Sequence, residues 1–163
     1  LPLSEYELPE KVVKQEEENA KRGLFVEIYD PKKHYGIDEF CEVINNPGFA
    51  HSIQYNLKRD EPRPFLVAAH NNKVVGWTGA MWNEESGRGH FDGIAILDGI
   101  CVDPNERGGG LGKGLFCHLC KYLKDHGSTY MTFFTGIDNP ARYIYLFAGF
   151  KIAQSFADMK KNF

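Results

Sequence analysis

The segment Arg107-Gly108-Gly109-Gly110-Leu111-Gly112-Lys113-Gly114 constrains this chain more than any other. It follows an apolar stretch, Ile94 to Val102, whose Ile94, Ile96, Ile100 and Val102 share one face in an ideal strand, and it precedes an amphipathic run, Leu111 to Asp125, with the period of a helix. Strand, glycine loop and helix in that order form an anion site. Glycines let the backbone approach a ligand closely, and the N–H groups at a helix start point at it with the favourable end of the dipole. Phosphate is the ligand expected, and spacing excludes two kinds of phosphate loop. A Walker loop needs Gly five residues before the Gly-Lys pair and Ser or Thr after it, where this chain has Arg107 and Gly114. The dinucleotide pattern G-x-G-x-x-G, started from Gly108, Gly110 or Gly112, ends on Lys113, Leu115 or Cys117.

Composition narrows the class further. The chain has 163 residues, 42% apolar and 25% charged, the size and balance of a single globular domain. No apolar run is long enough for a membrane span, and no basic-then-apolar leader precedes the domain, so a cytoplasmic protein without a membrane partner is expected. A net charge of −3 without a basic run argues against nucleic acid. The four cysteines, Cys41, Cys101, Cys117 and Cys120, fall in segments that read as core elements, so reduced thiols are expected. Cys117-His118-Leu119-Cys120 has a metal or redox spacing but lacks a second ligand pair, and no metal site is expected. On the helix Cys120 borders the apolar arc, while Cys117 projects beyond its edge beside Lys124.

No internal repeat or low-complexity stretch divides the chain. Residues 1–23 read as a polar N-terminal helix or linker, interrupted by Glu16-Glu17-Glu18 and closed by Gly23. Because the chain opens with Leu1, excision from a longer protein stays open. A strand is expected over Leu24 to Tyr29, then helices over Asp38 to Ile44 and Phe49 to Leu57. Phe65 to Ala69 and Val74 to Trp77 flank Asn71-Asn72, a pair suited to a two-residue hairpin turn. A strand over Thr129 to Thr135 and a helix over Pro140 to Ala148 follow, with Asn139 as cap, Pro140 in the first turn and Gly149 as the left-handed residue at the end.

Arg107-Gly108-Gly109-Gly110-Leu111-Gly112 reads R-x-x-G-x-G, and Asn139 to Phe150 reads N-x-A-x-x-x-Y-x-x-x-G-F when aligned on Asn139, Ala141, Tyr145, Gly149 and Phe150. These two motifs, in this order, resemble the acetyl-CoA loop and second signature of the GNAT superfamily of N-acetyltransferases. The resemblance covers about Leu24 to the C-terminus, so the domain expected is 24–163, in one reading the C-terminal half of a tandem protein. It implies a GNAT-like α/β fold: a mixed, mostly antiparallel sheet flanked by helices, ending in a further strand, with acetyl-CoA inserted where two strands splay apart.

Acyl transfer from a thioester to an amine sets four requirements. Arg107, Gly108, Gly109, Gly110, Leu111, Gly112 and Lys113 would hold the pyrophosphate, with Asn139 and Arg142 beside the cofactor. The resemblance implies that a backbone N–H of Ile100, Cys101 or Val102 polarises the thioester oxygen, and that Tyr145 gives a proton to the leaving thiolate. Packing places Tyr145 roughly 40° beyond the apolar arc of its helix, an edge position from which a hydroxyl can face a cleft; an ordinary core tyrosine is the alternative. The acceptor ammonium needs a base, for which Asp98 is the candidate because a carboxylate interrupting an apolar strand must be paired or solvated; an Asp at a bulge, bound to backbone or Arg, is its structural alternative. Glu84, Glu85, His90 and Asp92 are further candidates in the preceding loop.

Cys101 reads as a core thiol rather than a nucleophile, since no His partner is identifiable. Trp77, Trp82, Phe133 and Phe134 could line an acceptor pocket, but such aromatics on strands more often fill a core. The reaction expected is direct acetyl transfer to a primary amine. A non-catalytic acyl-CoA-binding module, or the inactive half of a tandem acetyltransferase, is the alternative. The acceptor and the oligomeric state stay open.

Overall fold

The computed structural model describes residues 1–82 and 93–157. In chain order its elements are α1 (Glu10–Ala20), β1 (Leu24–Ile28), α2 (Ile37–Val43), α3 (Pro47–Leu57), β2 (Leu66–His70), β3 (Lys73–Trp82), β4 (Ile94–Val102), a 3-10 turn (Pro104–Glu106), α4 (Leu111–Asp125), β5 (Tyr130–Thr132) and α5 (Arg142–Phe147). The strands form one sheet in the order β1-β2-β3-β4-β5, antiparallel at the first three junctions and parallel between β4 and β5. The mixed, mostly antiparallel sheet flanked by helices is therefore the one expected. The β2–β3 hairpin turns through Asn71 and Asn72, whose φ values of 48° and 68° are the left-handed geometry that a two-residue hairpin needs.

Two apolar layers hold the sheet. On one face α4 lays Leu111, Leu115, Phe116, Leu119 and Leu123 against Leu66, Ala68, Val75, Ala80 and Ile100. On the other, Phe40, Cys41 and Ile53 of α2 and α3 pack with Phe65, Val67, Val74 and Trp77. Each fully buried Leu, Ile or Phe contributes about 1.5–3 kcal/mol to this arrangement. Gly76 lets α4 come close: a Cβ there would lie 2.9 Å from Leu115 Cδ1 and 3.0 Å from the Ala68 Cβ.

Strand β4 departs from the ideal alternation. Gly79 pairs with Gly99 and Ala80 with Leu97, which leaves Asp98 as an extra residue in a bulge. An extra residue reverses the face that later side chains take. Ala95 and Leu97 thus join Ile100 and Val102 in the α4 layer, in place of the Ile94, Ile96, Ile100 and Val102 stripe expected.

Other differences lie at the ends. The strand expected over Thr129 to Thr135 is confined to Tyr130–Thr132, and no strand follows α5 among the described residues. The outer side of β5 is taken instead by the N-terminus: Leu1 N donates to Met131 O (2.8 Å), Met131 N to Leu1 O (2.9 Å) and Leu3 N to Thr129 O (2.8 Å). Residues Leu3, Tyr6 and Val12 are buried in the α4 layer, so the leading segment is part of the packed structure. It also corrects the placing of Cys117, which is fully buried, because the segment carrying Tyr6 covers the flank of α4 that a helical wheel leaves open.

Candidate functional site

Parallel pairing of β4 with β5 runs only from Ile94↔Tyr130 to Ile96↔Thr132, and beyond it the two chains part. A cleft of about 870 Å³ opens along the rest of β4. Its floor is Ile100, Cys101 and Val102; its head is Glu106, Arg107, Gly108 and Gly110 with the start of α4, Gly109 standing apart from the lining; one side is Asn139, Pro140, Ala141, Ile144 and Phe147. Ile44, Asn46 and Phe49, at the α2–α3 turn, wall another part.

The head of the cleft gathers free backbone N–H groups and positive side chains. Gly110, at φ +72°, stands before α4 in the left-handed region and offers no side-chain cap. The first bond of the helix is Gly114 N to Gly110 O (3.0 Å), so the amides of Leu111, Gly112 and Lys113 have no acceptor within the helix. Arg107 and Lys113 bring positive charge to the same lining, and Lys113 Nζ stands 4.6 Å from the centre of the Phe147 ring. Upstream, Asp103 accepts from Asn105 N (2.8 Å) and Glu106 meets His70 Nδ1 (3.1 Å), which fixes the turn that delivers Arg107.

The second motif divides between the cleft and the core. Asn139 lines the cleft, and its Oδ1 accepts from Ala141 N (3.0 Å), the capping role expected of it. The bonds Arg142 N to Asn139 O, Tyr143 N to Pro140 O and Ile144 N to Ala141 O make the first turn 3-10 in type, so the α-helix proper begins at Arg142. Gly149, at φ +98°, closes the helix with Phe150 N donating to Tyr145 O (3.0 Å). Arg142 lies apart from the cleft lining: its guanidinium is exposed and donates to Ile137 O and to the Tyr143 hydroxyl.

Tyr145 is more buried than the edge position expected, at 6% exposure, because its ring sits among Phe116 (4.9 Å between centroids), Phe133 (4.4 Å) and Phe150. It lies behind Ile144 and Phe147, which line the cleft where Tyr145 does not. Burial pushes its pKa up, so the phenol keeps its proton at neutral pH.

Asp98 also stands apart from the cleft. Its bulge turns it into a small separate cavity with Ser52, Asn56 and Arg63. Burial raises its pKa, against which the Arg63 charge and a hydrogen bond with Ser52 act. The bulge and the Arg63 partner are the features named for the alternative reading of this residue. Glu84, Glu85, His90 and Asp92 lie outside the described residues.

Cys101 lines the floor of the cleft, where burial, with Cys41 nearby, pushes its thiol up to about 12 against the pull of Arg107. A thiol so protonated is a poor nucleophile. Trp77 and Phe133 pack in the two apolar layers, whereas Phe134 is 70% exposed. Sequence reasoning missed a whole wall of the cleft, Lys11, Val12, Gln15, Glu16 and Asn19 of α1, whose polar spacing looks like a solvated face. Among the described residues no cluster of His, Cys, Asp or Glu could hold a metal ion, and no helix is long and apolar enough to cross a membrane.

Comparison with known proteins agrees with this geometry. The sequence model of the Acetyltransferase (GNAT) family matches residues 24–150. No curated protein matches the chain by sequence. Among solved structures, the aminoglycoside acetyltransferase AAC(6')-Iy, in complex with the bisubstrate analogue CoA-S-monomethyl-acetylneamine, is similar at 17% identity and TM-score 0.61, over 85% of this chain and 98% of that one. The aminoglycoside acetyltransferase meta-AAC0020 from an uncultured soil metagenomic sample, in complex with sisomicin, is similar at 16% identity and TM-score 0.57, over 88% of this chain and 98% of that one. A GCN5-related glucosamine N-acetyltransferase region of a fungal multi-domain GH3 β-N-acetylglucosaminidase is similar at 19% identity and TM-score 0.63, over 78% of this chain and 16% of that one. At these identities the likeness is one of fold, but the family match spans most of the sequence and takes in both motifs: the chain belongs to the GNAT acetyltransferase family.

Proposed function

We propose that this protein transfers an acetyl group from acetyl-CoA to a primary amine by direct attack. The observation that carries the reading is the union, in one cleft, of the parted edge of β4 with the uncapped amides of α4. In this reading Arg107, Lys113 and the amides of Gly108, Gly109, Gly110, Leu111 and Gly112 hold the pyrophosphate, and Asn139 fixes the turn beside it. The exposed edge of β4 pairs with the amides of the pantetheine arm much as it would with an added strand. A backbone N–H within Ile100 to Val102 donates to the thioester oxygen as it becomes an oxyanion.

The amine nitrogen forms its bond to the thioester carbon, and the C–S bond then breaks. Tyr145, protonated at neutral pH, is the residue we assign to protonate the departing thiolate. Asp98 opens into a separate cavity, so in this reading it takes the ammonium proton through a chain of water rather than by direct contact. Acceptors worth testing first are aminoglycosides such as sisomicin, in view of the structural neighbours, followed by simple polyamines.

One observation favours a second reading, a non-catalytic acyl-CoA-binding module: neither Tyr145 nor Asp98 lines the cleft. Two measurements separate the readings. Calorimetric titration with acetyl-CoA should show saturable binding, and release of free thiol in an amine panel should show turnover. Binding with no turnover on any amine selects the module, and no binding at millimolar acetyl-CoA refutes both.

A further inference from the structure

We propose that α1, which precedes the segment matched by the family, is a working wall of the donor site: Asn19 sets the orientation of the glycine loop and Lys11 adds a positive charge for the phosphates of the bound nucleotide. The inference rests on the acetyl-CoA reading above. Lys11, Gln15 and Asn19 recur at every fourth position of α1, so they lie along one face of the helix, and all three line the cleft with Arg107 and Lys113.

Asn19 is the anchor. It is 4% exposed, unusual for a polar residue on a helix this rich in charge, and both ends of its amide are used. Its Nδ2 donates to Gly109 O (3.2 Å) and its Oδ1 accepts from Gln15 Nε2 (3.2 Å). An anion loop works only while its N–H groups, not its carbonyls, face the anion. A trans peptide sets its C=O and N–H on opposite sides, so drawing Gly109 O onto α1 turns the Gly110 N–H away from α1. Gln15 holds the next position: its Cγ lies 3.1 Å from where a Cβ on Gly110 would stand. Glu16, the carboxylate of this wall, is engaged with His118 of α4, whereas Lys11 has no ion pair among the described residues. The side of the wall left uncommitted is therefore cationic.

Three full-length proteins test this by calorimetric titration with CoA at several salt concentrations: wild type, Lys11→Glu and Asn19→Asp. Reversing an exposed charge beside a phosphate should raise Kd about tenfold at low salt and flatten its salt dependence, an effect that a purely structural role would not produce. Asn19→Asp keeps the acceptor for Gln15 but loses the donor to Gly109, and should raise Kd by a similar factor with thermal unfolding still cooperative. Should Asn19→Asp fail to fold, Lys11→Glu still decides, since its side chain takes no part in the core. Wild-type affinity and salt slope in a folded Lys11→Glu protein would overturn the proposal and leave the acetyl-CoA reading standing. Absence of CoA binding by the wild type would overturn both.

Discussion

Gly110 is the point at which backbone conformation and ligand chemistry meet, and a pair of substitutions there separates them. Its φ of +72° lies where an L side chain costs about 1–2 kcal/mol. A Cβ would also stand 3.1 Å from Gln15 Cγ, close enough to displace that side chain by a few tenths of an ångström. Gly110→Ala should therefore lose about 1–2 kcal/mol of stability, lowering Tm by roughly 2–8 °C for a domain of this size. Gly110→Glu carries the same backbone cost and adds a carboxylate at the uncapped amides of α4. At an effective dielectric typical of a protein surface, two like charges about 4–8 Å apart repel by about 2–4 kcal/mol before salt screening. Calorimetry with acetyl-CoA should thus give an affinity at least tenfold weaker for Glu than for Ala, while differential scanning gives the two variants similar Tm values. Equal affinities in the two variants would refute the anion site and leave Gly110 as a residue of conformation alone.

Tyr145→Phe removes a hydroxyl without emptying the aromatic cluster; turnover should fall by one to two orders of magnitude with acetyl-CoA affinity retained, and unchanged turnover would remove Tyr145 from the mechanism. Because burial raises the Asp98 pKa, the folded state binds its proton more tightly than the unfolded one, so this carboxylate destabilises the protein above its folded pKa and the penalty fades as pH falls. Asp98→Asn should then raise the urea midpoint at pH 7 and leave it unchanged near pH 3, whereas a drop at pH 7 would show that the contacts with Arg63 and Ser52 outweigh burial. Gly76→Val places atoms where Leu115 Cδ1 and the Ala68 Cβ already stand, and should cost about 1–3 kcal/mol in chemical denaturation. Wild-type stability in that variant would mean that α4 rides higher on the sheet than 2.9 Å allows.

What the sequence discloses and what it conceals divide along the range of the interactions. The helix α4, the Asn71-Asn72 turn and the end of α5 at Gly149 are set by neighbours within one turn of chain, and their residues declare them. The bulge at Asp98 is different. Its cause is the mismatch of β4 against β3, where Gly79 meets Gly99 and Ala80 meets Leu97, so no window of β4 alone contains the signal. That one inserted residue changes which of the isoleucines face α4 and carries the candidate base into a cavity apart from the cleft.

The wall formed by α1 was hidden for a related reason. A helical wheel sorts polar from apolar positions, and Lys11, Gln15 and Asn19 are polar whichever neighbour they meet. Water, a carboxylate and a loop of backbone carbonyls satisfy an asparagine equally well in sequence terms. The distinguishing fact is the 4% exposure of Asn19, which exists only once α1 has packed across the loop. Cys117 follows the same logic in apolar terms, since the side of α4 that the wheel leaves to solvent is covered by Tyr6, more than a hundred residues earlier in the chain. In both cases the leading segment supplies the missing partner, so a chain cut before Gly23 should lose more than a terminal helix: Gly109 O would lose the Asn19 amide and Cys117 would lose its cover. The consequence reaches the site, because the loop we assign to the anion is steadied from outside the segment that defines the family.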